Sequence, residues 1–477
     1  MIQQHPTHPK EAPYPVLSQS LIAQLSKIVG NSYAFTDEAN CLAYGHDQTE
    51  DLQFRPSLVL LPAHTSEISQ ILKLCNEERI PVTARGAGTG LAGGALPVFG
   101  GVVLSMERFN KILEIDEQNL QVTVEAGVIT EVLQNAVKEK GLYYPPDPAS
   151  KGSCFIGGNI NTNSGGPHAV KYGVVKDYVL NLEVVLANGE IIQTGANTLK
   201  NSTGYNLTQL IIGSEGTLGI VTKAVLRLIP QPTYNLLLLA SFNSPEQACA
   251  AVSAIFRAGI TPSALEFMER SAIDKTMAYV GDINIPISDE THAQLLIEVD
   301  GNHLDSLYLD CEKISEVLEQ FDSIETLFAD SDSQKNDLWK LRKNVGHAVK
   351  KTSIYKEEDT VVPRAELPKL LKGVKEIGTK YGFESVCYGH AGDGNLHVNI
   401  LKGSMSEKDW NQELTKGIRE IFQLTKSLGG TISGEHGIGY VQKEYLDIVF
   451  SQTELDLQRS IKKVFDPKHI LNPGKLF

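Results

Sequence analysis

The stretch Arg85-Gly86-Ala87-Gly88-Thr89-Gly90-Leu91-Ala92-Gly93-Gly94-Ala95 constrains this chain more than any other, because its five glycines leave the backbone amides free to face something outside the chain. Glycine reaches φ > 0 without steric cost and removes the side chain that would hold a ligand away, so successive amides can converge on a phosphate. Gly88, Gly90 and Gly93 satisfy the pattern G-x-G-x-x-G, but a dinucleotide unit of that type opens a helix directly after the loop. Here Leu91 to Gly101 holds four glycines and a proline before Val102-Val103-Leu104, which reads as a strand. The expectation is a loop between two strands, shaped for a pyrophosphate and not built on a helix dipole. An unliganded surface loop is the weaker reading.

The 477 residues leave room for about three domains at ~150 residues each. A formal net charge of -14 argues against nucleic acid and against adhesion to anionic lipid. The densest apolar run, Leu236 to Ala240, is far short of the ~20 residues that span a bilayer. The start of the chain, with His5, Pro6, His8, Pro9, Pro13 and Pro15, has no basic or apolar signal region and reads as a loose lead-in. Six cysteines scattered without C-x-x-C fit reduced thiols in a cytoplasmic protein and offer no ligand set for an iron–sulfur cluster.

Helical spacing from Leu17 to Val29 and from Asp37 to Tyr44 predicts an N-terminal helical arm over residues 1–55. Ser57 to Leu61 is a strand, Thr65 caps a helix with Ile68, Ile71, Leu72 and Cys75 on one face, and Pro81-Val82-Thr83 leads into the glycine loop. Strands follow at Val102 to Met106 and Leu120 to Ala126, then a helix from Thr130 to Gly141. Asn188-Gly189 is a hairpin turn signal, and Ile220 to Leu228 is a last strand before Pro230 and Pro232 close a domain spanning 56–232. Beyond it, strand Leu236 to Phe242, a helix from Pro245 to Ala258 capped by Ser244, and strand Ala264 to Met268 precede a similar set at 294–299, 304–320 and 324–328. That alternation predicts an α+β fold whose second domain, 233–430, carries helices on one face of an antiparallel sheet, ferredoxin-like, with 431–477 as a C-terminal segment.

A second glycine-rich region runs from Pro145-Pro146-Asp147-Pro148-Ala149-Ser150 to Gly157-Gly158-Asn159-Ile160-Asn161-Thr162-Asn163-Ser164-Gly165-Gly166. A third is Gly213-Ser214-Glu215-Gly216-Thr217-Leu218-Gly219, followed by Ile220. Three such regions in one domain suggest an extended ligand touched along its length. Further on, Gly389-His390-Ala391-Gly392-Asp393-Gly394-Asn395-Leu396-His397 places two histidines around a hairpin turn, where they suit a divalent transition metal. Glu435, in Ser433-Gly434-Glu435-His436-Gly437, can complete a set of two histidines and a carboxylate with open positions, as a catalytic metal requires.

From about Pro56 to Phe477 these motifs together resemble the flavoprotein family typified by vanillyl-alcohol oxidase and p-cresol methylhydroxylase, in its D-2-hydroxy-acid dehydrogenase branch of D-lactate dehydrogenases and glycolate oxidase catalytic subunits. The resemblance implies a two-subdomain FAD domain under a cap, with the pyrophosphate on a loop matching Arg85 to Ala95. Relatives with covalent flavin carry a histidine in that loop; Thr89 stands here, so the flavin is expected to be non-covalent. The resemblance also implies a zinc-type ion on His390, His397 and Glu435, manganese and iron being the alternatives, and His436 as the base. The ion polarises the substrate, His436 takes the hydroxyl proton, and the C2 hydrogen leaves as hydride to flavin N5. Arg342 matches a carboxylate anchor and Asn472 an asparagine near the ring; Asn399 or Asn395 is a further candidate, from the residues alone, for orienting the substrate. Relatives that take a dicarboxylate place a lysine where Glu357 stands, which favours D-lactate or glycolate over a 2-hydroxyglutarate-type substrate; Arg364 is either a side-chain anchor or a surface residue.

Electrons must leave to an external acceptor: an electron-transfer flavoprotein, an iron–sulfur subunit, or a quinone at the inner face of a membrane, with oxygen as an alternative. Oligomeric state stays open, a homodimer included. Two rivals from other classes are a metallohydrolase acting on a nucleotide and a non-catalytic FAD-binding subunit.

Overall fold

The computed structural model describes residues 14–281, 283, 285 and 287–477, and the loose lead-in expected at the start of the chain falls mostly outside them. The chain divides into two compact units: one of residues up to Ser164 with Val174–Gln231 and Glu435–Phe477, the other of Gly165–Gly173 with Pro232–Gly434.

In the first unit, strands β1 (Leu58–Leu60), β2 (Val82–Arg85) and β3 (Val102–Ser105) run parallel in a four-stranded sheet ordered Ala34–Phe35, β1, β3, β2. All residues of β1 and β3 are buried, as a strand covered on both faces demands. The glycine-rich stretch fills the connection from β2 to β3 with no helix in it. The Thr65–Glu77 helix packs Ile68, Ile71, Leu72 and Cys75 inward, but Thr65 is its first helical residue rather than its cap; the cap position is His64, and the Thr65 hydroxyl donates to Glu183 at 2.7 Å. A second sheet is antiparallel throughout, in the order β4 (Ile112–Asp116), β5 (Gln121–Glu125), β8 (Ile220–Arg227), β6 (Val179–Val185), β7 (Ile191–Gln193). The sequence showed no strand at β4, whose Leu113 is exposed and whose pattern lacks an apolar alternation. Gly189 turns the β6–β7 hairpin at φ 82.

The second unit is built on a seven-stranded antiparallel sheet. Its strands are β9 (Tyr234–Phe242), β10 (Ala264–Glu269), β11 (Ala293–Gly301), β12 (Ser323–Phe328), β13 (Tyr355–Val361), β14 (Glu384–Gly389) and β15 (Asn395–Leu401), ordered β12-β9-β11-β10-β14-β15-β13. The Pro245–Arg257 helix starts where Ser244 accepts the Gln247 amide and Pro245 presets the first turn. Helices cover both faces rather than the one expected. Leu237, Leu239, Met268, Leu296, Val386 and Tyr388 pack on one face with Ile273, Leu338, Leu341, Val345 and Val349 from helices Arg270–Val280, Asp332–Lys343 and Val345–Thr352. The residues alternating with them, such as Leu238, Phe267 and Leu295, point the other way, where helices Pro245–Arg257, Leu304–Glu319 and Leu367–Tyr381 contact the sheet. The segment bearing Arg342 and Lys350 is two helices broken at Asn344.

Candidate functional site

Within the first unit the three glycine regions converge. A Cβ added to Gly86 would lie 3.7 Å from the Gly158 Cα, and one added to Gly94 would lie 3.6 Å from Glu215 Oε2. A Cβ at Gly90 or Gly158 would meet nothing within 4 Å, so backbone there faces open space. Gly88 turns at φ 72 with the Arg85 guanidinium beneath it, and that buried guanidinium donates to the His46 carbonyl at 2.6 Å. Ala87 and Thr89 are half-buried in the same loop.

The second region contains a short helix, Ile156–Thr162, which its glycines concealed in the sequence. Gly157 packs against Ala126, while Asn161 donates to the Gly157 carbonyl at 2.7 Å and accepts the Gly216 amide at 2.8 Å, joining the second region to the third. Ser164 Oγ lies 2.7 Å from Thr162 Oγ1. On the approach, the Pro146 carbonyl accepts from Gln134 at 3.0 Å, Asp147 is buried with Lys151 at 3.9 Å, and the Ser150 carbonyl accepts the Ser153 and Cys154 amides at 2.8 Å. Gly219 abuts Val184 and leads into Ile220, the first residue of β8. Gly165 and Gly166 belong to the second unit, where Lys171 and Tyr172 hold Asp300 and His168 lies 3.1 Å from Glu298.

The C-terminal segment of the first unit is stitched to these regions. Glu215, at φ 53, accepts the Ile438 and Gly439 amides at 2.8 Å each, so it holds the turn just after Glu435 and His436. Burial pushes its carboxyl up to about 7. Asn472 donates to the Gly94 and Glu215 carbonyls at 2.9 and 2.7 Å, a clamp between loops. Lys475, pushed down to about 7 by burial, donates to the Leu96 carbonyl. A cradle of exposed loop backbone braced by such clamps fits a flavin dinucleotide.

In the second unit the β14–β15 hairpin sets Tyr388 opposite His397, and the Ala391–Asp393 turn brings the His390 and His397 ring centroids to 5.4 Å at 82°. His390 Nδ1 lies 2.9 Å from both carboxylate oxygens of Glu266 on β10. Arg342 NH2 reaches Glu266 Oε2 at 2.6 Å, a charge contact without the angle of a hydrogen bond, and its buried Nε has no hydrogen-bond partner among the described residues. The guanidinium stands 5.1 Å over the Tyr388 ring. Burial pushes the Glu266 carboxyl up, but Arg342 and His390 outweigh it and hold it below its ordinary range. His397 Nδ1 is 3.7 Å from Asp359 Oδ1 and 4.0 Å from Glu357 Oε1, and the Tyr388 hydroxyl donates to Glu357 at 3.3 Å. Asp359 Oδ2 accepts the Ser433 hydroxyl and the Gly434 amide, tying down the residue that precedes Glu435 in the chain.

The Asn395 amide donates to Asp359 at 2.7 Å and to the Thr360 carbonyl at 3.0 Å, and Asn399 is fully buried on the same strand. Arg364 stacks on Phe256 at 3.7 Å. Sequence reasoning missed Glu266, Tyr388 and Asp359. An acid in the middle of the apolar run Ala264-Leu265-Glu266-Phe267-Met268 was the available signal.

Residues 231–476 match the family described as FAD linked oxidases, C-terminal domain, and residues 56–195 match the FAD binding domain. The chain is 42% identical over 465 residues to the glycolate oxidase subunit GlcD of Bacillus subtilis (strain 168), covering 97% of each. It is 37% identical to the D-lactate dehydrogenase of Anaerostipes hadrus, covering 98% of this chain and 99% of that one. Among solved structures, p-cresol methylhydroxylase with substrate bound superposes with a TM-score of 0.77 at 17% identity, covering 95% and 96% of the two chains, which shows a shared fold.

Proposed function

The chain belongs to the FAD-linked oxidases, and from that membership we propose that it oxidises a small D-2-hydroxy acid, D-lactate or glycolate, to the 2-oxo acid. One observation carries the substrate class: Arg342, against Glu266 and Tyr388, keeps a buried guanidinium whose Nε has no partner among the described residues, and a buried donor without an acceptor costs stability unless an anion takes it. In this reading Arg342 binds the carboxylate and His436 accepts the 2-hydroxyl proton. His390 and His397, with Glu435 as the expected third ligand, would hold a divalent ion of the zinc type, with manganese or iron as alternatives. When bound, FAD supplies the two-electron acceptor and the ion supplies Lewis acidity at the substrate oxygens.

Glu357 supports a short substrate. Its carboxylate, close to His397, would repel the second carboxylate of a 2-hydroxyglutarate-type acid. The FAD-binding families set the hydrolase reading aside. All six cysteines are buried and scattered, and no helix among the described residues is long and apolar enough to cross a membrane. The proposed acceptor is therefore external: an electron-transfer flavoprotein, an iron–sulfur subunit or a quinone at a membrane surface.

The experiment is anaerobic mixing with a panel of D- and L-hydroxy acids while following absorbance near ~450 nm, before and after chelation. Bleaching by D-lactate or glycolate, lost on chelation and restored by zinc or manganese, is expected. No bleaching by any D-2-hydroxy acid overturns the reading. His436→Ala should slow flavin reduction by about 10²–10⁴-fold.

A further inference from the structure

We propose that Glu266 is a positioning residue that fixes His390 and Arg342 together, through one carboxylate shared by a metal-binding imidazole and an anion-binding guanidinium. The inference deepens the reading above and rests on its assignment of those two residues.

Glu266 sits in the middle of β10 between Leu265 and Phe267, with 0% of its surface exposed. An isolated carboxylate there would carry the full penalty of burying an unpaired ion. It is offset by two partners from distant parts of the chain, His390 from the β14–β15 turn and Arg342 from the Asp332–Lys343 helix. The contact to His390 has a chemical consequence. An ionised carboxylate only accepts, so at 2.9 Å it requires Nδ1 to carry the proton and leaves the lone pair on Nε2. That is the tautomer a metal ligand needs, and a carboxylate behind a ligating histidine also raises its basicity. The contact to Arg342 holds NH2 while Nε stays unspent, and the Tyr388 ring lies under the guanidinium, so the arginine is fixed without using all its donors.

Glu298 provides the contrast. It is almost as buried, at 4% exposed, and sits on the adjacent strand β11, where it pairs with Ala264, two residues before Glu266. Its carboxylate is saturated by Ser263, Asn235 and Trp339 and lies beside His168, none of them a group assigned to chemistry. Loss of a buried acid as such is therefore separable from loss of this particular one.

The test uses the full-length FAD-loaded protein as wild type, Glu266→Gln and Glu298→Gln, each stripped with a chelator and titrated with zinc alone against a competing dye. Michaelis parameters for D-lactate are read from the same preparations. Glu266→Gln should keep the flavin spectrum, weaken zinc binding by about 10–100-fold and raise KM, while Glu298→Gln binds zinc as wild type does. Should Glu266→Gln not fold, Glu266→Asp keeps the charge but withdraws it by one methylene, and an intermediate loss of zinc affinity is expected. Wild-type zinc affinity and KM in either folded Glu266 variant would overturn the inference, as would an equal loss in Glu298→Gln. Wild-type protein that binds no zinc but is bleached by D-lactate would overturn the metal assignment and this inference together, leaving the substrate reading intact.

Discussion

Glu215 in the first unit and Glu266 in the second are both carboxylates taken out of water, yet they titrate in opposite directions. Glu215 is met by two backbone amides and by Lys475, and its carboxyl is pushed up to about 7 because burial outweighs them. Glu266 suffers the same burial but meets Arg342 and His390, and it is held below the ordinary range. The difference lies in the partner. Lys475 is itself pushed down to about 7 by burial, so it offers no dependable charge, whereas a guanidinium stays protonated wherever it is placed. Glu215 therefore serves as a backbone clamp and Glu266 as an electrostatic anchor.

The sharpest way to break this contrast is Glu266→Ala, which leaves the Arg342 charge buried without its counterion. A loss of about 3–5 kcal/mol is expected in the unfolding free energy, read from the shift of the denaturant midpoint; an unchanged midpoint would mean that the pair contributes nothing. A smaller effect separates the two acids by pH. The folded Glu215 keeps its proton from the unfolded value of ~4.3 up to about 7, so through this group stability falls as pH rises across that window. Glu215→Gln should accordingly gain on wild type by about 1–3 kcal/mol between pH ~4.5 and ~7.5. Glu298, held low by His168 and Ser263 against its burial, behaves in the reverse sense. Its contribution is present above ~4.3 and is lost as pH falls through its folded value, so the deficit of Glu298→Gln should shrink on acidification. Unfolding curves at three pH values check both signs. The smallest expected change is far from either acid: Ser244→Ala should cost about 1 kcal/mol through the lost cap on the Gln247 amide, with flavin and zinc binding untouched.

Much of the fold was legible because local patterns carried it. The β2–β3 glycine connection, the Asn188-Gly189 hairpin and the Ser244 cap all act within a few residues. The hairpin that brings His390 and His397 together was readable for the same reason, since the turn and both strands lie inside one short stretch. The Ile156–Thr162 helix was not, because Gly157 and Gly158 oppose it and contacts distant in sequence, among them packing on Ala126 and the ties from Asn159 to Thr130 and from Asn161 to Gly216, offset that cost. The second layer of helices in the larger sheet escaped notice because its strands are apolar on both faces, which removes the alternation that would mark a covered side.

By itself, the sequence determined that this chain lays glycine-rich backbone into a strand-to-strand loop and gathers imidazoles at a turn, because φ > 0 and hairpin geometry are properties of neighbouring residues. Only the tertiary structure decided what the buried charges face. Glu266 and His390 stand 124 positions apart, and Glu215 and Ile438 stand 223 apart. Electrostatic pairing in a dry interior depends on distance through space, which the chain brings within reach only once its sheets are formed.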